Sequence, residues 1–538
     1  MTVSPVPTFG RRTILAGGAA TVPVSLAASP TTSTSVPPRP EVAPVLAGHR
    51  LQRRIRDPFT LGVASGDPEP DGVVLWTRLA PRPLDNDGRG GMPDREVTVE
   101  WQVSADPGFA RPARSGTVRA LPRSAHAVHV EVSGLQPARE YHYRFRAEGH
   151  VSMVGRTRTA PAYDSSPNNL TMAVASCAQY EHGFFTAYRR LAEEEPHLVL
   201  HLGDYLYEMR RGDYVTTGGN VRDHLGPDTV TLADYRQRHA QYKTDPDLQG
   251  AHPVAPWAVV FDDHEVDENW AGLRPQGPQP HFRQRRAAAF RAYYEHMPLR
   301  RSSLPRGLGM RIHRRIRWGD LATVHLLDTR QYRDDQACGG VGLVHCADRL
   351  DPGRTMLGHR QEKWLLDGLA ASDTAWDVLG QQVFLAERDR AAGSPELLGM
   401  EGWDGYAAAR RRLLDAFAER QVRNPVVLTG DVHSHFANDL RHNFADPSSR
   451  PVGVELVTSS ITSGGDGQDD SPGIAMQRAV NPHIRFGSSR RGYLMTRLER
   501  DHLKADFKTL PFVRRPGARV ATRASFVVED GNPGLVPD

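Results

Sequence analysis

Four short segments of the chain read as buried strands that each end in metal-binding side chains. LTMAVASC closes on Cys177, and HLVLHLGDYLY carries Asp204 and Tyr207. WAVVFDDHE carries Asp262, Asp263, His264 and Glu265, and NPVVLTGDVHSH carries Asp431, His433 and His435. One apolar run followed by an acid is common. Four runs that each deposit Asp, His, Tyr or Cys at the same end constrain the fold much further. In α/β sheets the acting side chains gather in the loops past the carboxyl ends of the strands. The pattern therefore predicts a layered sheet whose strand ends converge on one metal site.

The rhythm around these segments agrees. FFTAYRRLAEEE, TLADYRQRHAQYK, RRAAAFRAYYEHM, GHRQEKWLLDGLAAS and YAAARRRLLDAFAER carry apolar residues at helical spacing. Thr231 and Asp234 are placed for a capping box at the second. ATVHLLDTR, WDVLGQQV and VGVELVTSS add strands. Strand and helix alternating in this way predict an α/β layered domain over residues 163–538. Residues 58–160 read differently. VVLWTRL, EVTVEWQVS, HAVHVEVSGL and EYHYRFRAEG alternate apolar and polar residues between Pro, Gly and Asp turns, which predicts an all-β sandwich. GLQPAREYHYRF resembles the turn and strand of an immunoglobulin/fibronectin-like domain, with Tyr141 or Tyr143 at the corner.

Residues 29–57 are rich in Pro, Ser and Thr, then Arg, and read as a linker. Residues 1–28 resemble a twin-arginine export signal: Arg11 and Arg12 precede an apolar stretch from Ile14 to Leu26, and small residues follow at Ala27 and Ala28. That leader makes the twin-arginine (Tat) export machinery the expected partner and a secreted, extracytoplasmic location the expected destination. Pro23 interrupts the stretch, so no permanent membrane span is expected. The 67 basic and 63 acidic residues nearly balance, which argues against a nucleic-acid-binding module. Of the three cysteines, Cys338 and Cys346 share the short loop CGGVGLVHC and either pair outside the cytoplasm or remain free thiols.

Asp oxygens, His nitrogens, a Tyr phenolate and a Cys thiolate form a mixed hard and soft donor set. Ca²⁺ or Mg²⁺ alone draws mainly oxygen, and structural Zn²⁺ draws repeated Cys and His at close spacing. Phenolate with thiolate favours a strongly Lewis-acidic ion such as Fe³⁺, with carboxylates left for harder ions beside it. Two or more such ions suit displacement at phosphorus, because they polarise phosphoryl oxygens and turn water into hydroxide near neutral pH. The chain has no GxSxG, Ser-x-x-Lys or P-loop pattern to supply a rival chemistry.

GDYLYE, DDHEVDENW, DTRQYR and GDVHSH, behind FTLGVASGDPEPDGVVLWTRLAP, resemble the PhoD-type alkaline phosphatases. These are a branch of the calcineurin-like, purple-acid-phosphatase-like metallophosphoesterases. The resemblance spans both domains. It implies a secreted enzyme holding Fe³⁺ and Ca²⁺ that hydrolyses phosphate monoesters. The alternative within the family is a phosphodiesterase with phospholipase D-like action. A rival of another class is a cell-surface binding protein with an inert α/β domain. Motif by motif, Asp204 resembles the carboxylate bridging iron and calcium, and Cys177 and Tyr207 resemble iron ligands. Asp263 resembles a calcium-side ligand, and Asp431 and His433 stand where relatives have a GHxH pair. His264 matches the residue that assists the leaving group as acid. Asn269 and His435 stand as further ligands or as neighbours of the ligands. Arg330 either forks onto substrate phosphate or belongs to a buried ion pair. SGGDGQDDSPG reads as a mobile loop at the edge of the site, and the tail past Leu510 shows no helical pattern.

Overall fold

The computed structural model describes residues 55–538 apart from 341–344, 421, 447 and 470, so the expected export signal and all but the end of the linker lie outside the described residues. Two large sheets form the body. In the ten-stranded sheet the strands run in the order 532–537, 521–529, 502–510, 491–498, 170–175, 198–202, 256–260, 63–69, 72–78, 127–132. In the seven-stranded sheet the order is 314–318, 322–326, 376–380, 425–429, 451–457, 435–441, 484–488. Each sheet has a parallel centre, formed by 170–175, 198–202, 256–260 and 63–69 in the first. The parallel centre of the second is 322–326, 376–380, 425–429 and 451–457. The five-residue members of these centres are buried along their whole length, as expected of parallel strands covered on both faces.

One apolar core joins the two sheets. It takes Val174, Leu200 and Val259 from the first and Val324, Val378, Val426 and Leu456 from the second. The helices Thr186–Glu193, Leu232–Lys243 and Phe282–His296 add Tyr188, Leu191, Tyr235, Tyr242 and Phe290 to it. A second core packs Leu365, Leu369, Leu413 and Phe417, from the helices Gly358–Ala370 and Ala407–Glu419, against Leu379 and Val427. These are the five helices expected from spacing, and the Thr231–Asp234 capping box is formed in both directions. At the carboxyl edge the sheets are stitched together: Ser176 bridges Ser460 in parallel, and Thr458 Oγ1 donates to the Val174 carbonyl at 3.1 Å.

The region read as a sandwich has a core of its own, with Val73, Leu75, Val99, Val103, Val130, Tyr141, Tyr143 and Phe145 among its members. One layer is a five-stranded sheet of 114–120, 97–104, 140–147, 150–151 and 155–158. The other is the end of the ten-stranded sheet, because Val63–Glu69 pairs in parallel with Pro256–Val260. The two regions distinguished by sequence rhythm therefore share a hydrogen-bonded sheet. The tail past Leu510 is not irregular: Ala521–Glu529 and Asn532–Pro537 are strands that extend the same sheet. Among the described residues no helix is long and apolar enough to cross a membrane.

Where the helices Leu232–Lys243 and Phe282–His296 meet Gly72–Arg78, a layer of buried bases is enclosed. His239 stacks on His296 at 4.7 Å between ring centres, and neither of its nitrogens has a hydrogen-bond partner among the described residues. His296 Nε2 lies 2.7 Å from Arg78, and His252 Nε2 lies 3.1 Å from Lys243 Nζ. Burial pushes His239, His252 and His296 well below the ordinary imidazole range, and the neighbouring Lys243 or Arg78 adds to the effect. In the unfolded chain these rings bind protons below about pH 6.5, whereas the native rings stay neutral. Unfolding then takes up protons, so stability falls as pH falls, by about 1.4 kcal/mol per ring and pH unit below that point. Calorimetric Tm is expected to drop steeply between about pH 6.5 and 5 and to drop less steeply in His239→Leu.

Candidate metal centre

The described strand ends of the two parallel centres come together, and the backbone there turns in an unusual way. Cys177, Asp204, Asn269, Asp431 and His433 all hold positive φ, at 59°, 52°, 53°, 64° and 53°. For residues other than Gly this left-handed conformation costs energy and gathers at functional sites. Its use here is geometric. It reverses the chain directly after a buried strand, so the side chain projects into the space past the sheet edge. Cys177 follows Leu170–Ala175, Asp204 follows Leu198–Leu202, and Asp431 follows Pro425–Thr429.

Two overlapping nests result. Cys177 Sγ, an Asp204 oxygen and a His433 nitrogen lie within 4.8 Å of one another. Tyr207 Oη joins them, 3.0 Å from Asp204 Oδ2 and 3.0 Å from His433 Nε2. Asp262, Asp263 and Asp431 form the other nest, and Asp204 also groups with Asp263 and His264, so it stands between the two. Glu265, next to the motif histidine, clasps the frame from behind: its carboxylate accepts the backbone N–H groups of Asp204 at 3.1 Å, Tyr205 at 2.7 Å and Asp262 at 2.8 Å.

The electrostatics fit a site built for cations. Burial, with the surrounding acids, pushes Asp204 and Asp431 well above the carboxylate range and Asp262 up to about 7. Burial also pushes Asp263 upward, but Arg330 and His264 outweigh it and hold that carboxyl low. The Cys177 thiol and Tyr207 phenol are pushed up by burial and then by Asp204. Burial, then Arg491, lowers His433 to about 3, which leaves its ring neutral and able to bind a metal. Asp262 Oδ2 and Asp263 Oδ1 are buried with no hydrogen-bond donor among the described residues. Buried carboxylate oxygens without donors are costly, and cations at the two nests would satisfy them.

Arg330 reaches across this cluster from beneath. It is fully buried, with Nε on Asp262, Nη1 on Glu401, and Nη2 at 3.4 Å from Asp263 and 3.6 Å from Asp431. Its Nε and Nη1 are committed to carboxylates, which forms the buried ion pair, whereas Nη2 has no hydrogen-bond partner among the described residues.

His435 is not brought to the site. The left-handed turn at His433 lets the chain re-enter a strand, His435–Arg441, and the ring of His435 lies buried against Phe507 with Nδ1 accepting from Ser459 N–H at 3.0 Å. Asn269 donates its backbone N–H to Asp263 Oδ2 at 2.7 Å, which holds it beside the acid nest. Cys338 and Cys346 form a disulfide. Two residues were missed by sequence reasoning. Glu208 Oε2 lies 2.8 Å from His264 Nδ1, and Ser463 Oγ donates to Tyr207 Oη at 2.7 Å. Glu208 had a signal, being the last residue of GDYLYE, whereas Ser463 lies in the loop read as mobile and is fully buried.

The profile of the PhoD-like phosphatase family matches residues 172–507, and that of the PhoD-like phosphatase N-terminal domain matches residues 45–161. The chain belongs to the PhoD-like phosphatase family. It is 47% identical over 480 residues to alkaline phosphatase D of Bacillus subtilis (strain 168), covering 89% of this chain and 82% of that protein. A solved structure of PhoD superposes with a TM-score of 0.88 at 47% identity, covering 90% of this chain and 92% of that one. The likeness extends through both large sheets and the N-terminal strands that this PhoD-like phosphatase builds into one of them.

Removing the Glu265 clasp is expected to be severe. Glu265→Ala orphans three buried N–H groups, each costing about 1–3 kcal/mol, and frees the segment that carries Asp204. A marked fall in Tm by circular dichroism, with lowered metal content in whatever protein stays folded, is the expected outcome.

Proposed function

We propose that this chain is a metal-dependent phosphoric-ester hydrolase, an alkaline phosphatase acting on phosphate monoesters. The observation that carries the reading is the pair of donor nests sharing Asp204, with His264 at their rim. Cys177, Asp204, Tyr207 and His433 would hold Fe³⁺, and Asp204, Asp263 and Asp431, with Asn269 beside them, would hold Ca²⁺. When bound, such ions polarise phosphoryl oxygens and activate water for in-line attack.

The protein's own groups do the rest. His264 is the acid for the leaving alcohol. Burial alone would lower its pKa, but Glu208, then Asp204 and Asp263, outweigh burial and raise it, and Glu208, the largest of these, is not among the metal donors. Glu208 on Nδ1 fixes the ring and leaves Nε2 free for the leaving oxygen. Tyr207 lies against the same ring in a tilted contact, with centres 4.0 Å apart and planes at 30°, and limits its rotation. Arg330 holds Asp262 in place and stands within 3.6 Å of Asp263 and Asp431, so these acids keep one geometry through the reaction.

A phosphodiesterase or phospholipase D-like activity is the second reading. It is favoured by a cavity of about 560 Å³ that opens beside Glu208 and Glu268 and runs along Gln276–His281, with room for a second ester substituent. Along the chain, residues 58–160 form an immunoglobulin/fibronectin-like sandwich and 163–538 the metallophosphoesterase domain. Residues 1–28 direct export by the twin-arginine machinery and 29–57 link them to the enzyme, which places it outside the cytoplasm.

Protein loaded with iron and calcium is expected to hydrolyse p-nitrophenyl phosphate. Absence of activity in correctly metallated protein would sink the phosphatase reading. Relative rates on p-nitrophenyl phosphate, bis-p-nitrophenyl phosphate and phosphatidylcholine decide between monoester and diester. His264→Gln is expected to lower kcat about a hundredfold or more at unchanged metal content. The loss should be larger for an alkyl phosphate than for p-nitrophenyl phosphate, whose leaving group needs no acid. Cys177→Ala should lose iron by elemental analysis, whereas Cys338→Ala should lower Tm and keep it.

A further inference from the structure

Ser463 ends a segment that is locked rather than mobile. Ile461 N–H donates to the Ser176 carbonyl at 3.0 Å, Thr462 Oγ1 to the Gln179 carbonyl at 2.7 Å, and Ser460 Oγ to the Ser463 carbonyl at 2.7 Å. Arg491 Nη1 holds Ser460 Oγ at 2.8 Å. The Ser463 hydroxyl, fully buried, sits at a junction of three loops: 2.7 Å from Tyr207 Oη, 2.8 Å from the Cys177 carbonyl, and accepting from Gln179 N–H at 3.1 Å. It thus touches both residues that give the iron side its soft, anionic character.

A hydroxyl has one hydrogen, and here two acceptors compete for it. With Tyr207 as a neutral phenol, the phenol hydrogen goes to Asp204 Oδ2 at 3.0 Å and the Ser463 hydrogen is free for the Cys177 carbonyl. With Tyr207 as an iron-bound phenolate, its oxygen has no hydrogen to give and can only accept. Asp204 only accepts, and His433 Nε2, the other atom at 3.0 Å, is the nitrogen that faces the metal nest. Ser463 is then the one hydroxyl donor in hydrogen-bond reach among the described residues. Its 2.7 Å distance suits a charge-assisted O–H···O⁻ bond.

We propose that Ser463 is a positioning residue for the iron side of the centre, donating to the Tyr207 phenolate and so limiting how much electron density that oxygen gives to the metal. The proposal rests on the reading of Tyr207 as an iron ligand. A hydrogen bond to a phenolate lowers the energy of its donor electrons. Losing that bond brings phenolate-to-iron charge transfer to lower energy.

The test uses the full-length, iron- and calcium-loaded protein as wild type, Tyr207→Phe, Ser463→Ala and Ser463→Thr. Visible absorption is recorded per bound iron, with iron measured separately. The expected result is a band absent from Tyr207→Phe, moved to longer wavelength in Ser463→Ala, and restored to its wild-type position in Ser463→Thr. A Ser463→Ala band at the wild-type wavelength, with equal iron, overturns the proposal. Should the variants fail to fold, resonance Raman spectra of the wild type in H₂O and D₂O replace them. Phenolate C–O frequencies that shift on deuteration support the bond, and identical frequencies overturn it. A wild-type band that survives Tyr207→Phe overturns the reading of Tyr207 as an iron ligand, and the proposal with it.

Discussion

Everything at the strand ends depends on one electrostatic constraint: more negative donors are buried there than the protein's own cations can balance. The buried Asp204, Asp262 and Asp263 crowd together with the half-buried Asp431 and Glu401 beside a thiol and a phenol, and Arg330 with Arg333 supply the opposing charge. Isolated buried carboxylates would stay protonated or turn out to solvent. Their held geometry therefore comes from elsewhere: from Arg330 on one side and from the backbone N–H groups gathered by Glu265 on the other. The constraint also explains why the arginine of the DTRQYR motif sits beneath the site rather than open to it.

The backbone carries part of the same cost. A left-handed turn at Cys177 is less tolerated than at Asp, Asn or His, which adopt that conformation more often. The turns persist because two buried parallel centres fix where each strand stops, and because Ser176, Thr458 and Ser460 tie the sheets together close to the donors. Packing of the two sheets and placement of the donors are thus one problem. A shift of one sheet against the other would draw His433 from Cys177 and Asp204, and Asp431 from Asp262 and Asp263, and so open both nests.

Much of this was legible in the sequence, for identifiable reasons. The five helices repeat apolar residues over three or more turns in most cases, and the strand ends pair an apolar run with a donor. Those signals are local. What escaped is non-local. Parallel pairing of Val63–Glu69 with Pro256–Val260 joins residues nearly two hundred positions apart and leaves no mark on either segment. The last two strands, Ala521–Glu529 and the edge strand Asn532–Pro537, are half exposed and interrupted by charge or Pro, so their alternation is weak. His435 stood as a further ligand or a neighbour of the ligands because it adjoins the motif, and the left-handed turn at His433, which the motif does not announce, carries it into a strand instead. Glu208 and Ser463 act by single hydrogen bonds, which have no period to detect.

The clearest case is the pair Tyr207 and Glu208. A histidine that donates a proton to a leaving group needs a carboxylate behind it to fix its ring and hold its charge. Position 207 is close enough to serve, yet its phenol is turned to Asp204 and His433 at 3.0 Å each and lies among the donors grouped with Cys177. The next residue supports the histidine instead. Glu208 reaches His264 Nδ1 at 2.8 Å and anchors itself by accepting Glu268 N–H at 2.9 Å through its other oxygen. Tyr207 still meets the same histidine, but through its ring face. Two neighbouring residues thus divide ligation and acid support between them. With Tyr207 as a phenolate ligand, as proposed, its oxygen can only accept, and Ser463 is the hydroxyl placed to donate to it. On that reading one choice of ligand type, a phenolate at position 207, accounts for the positions of both residues that the sequence pattern did not disclose.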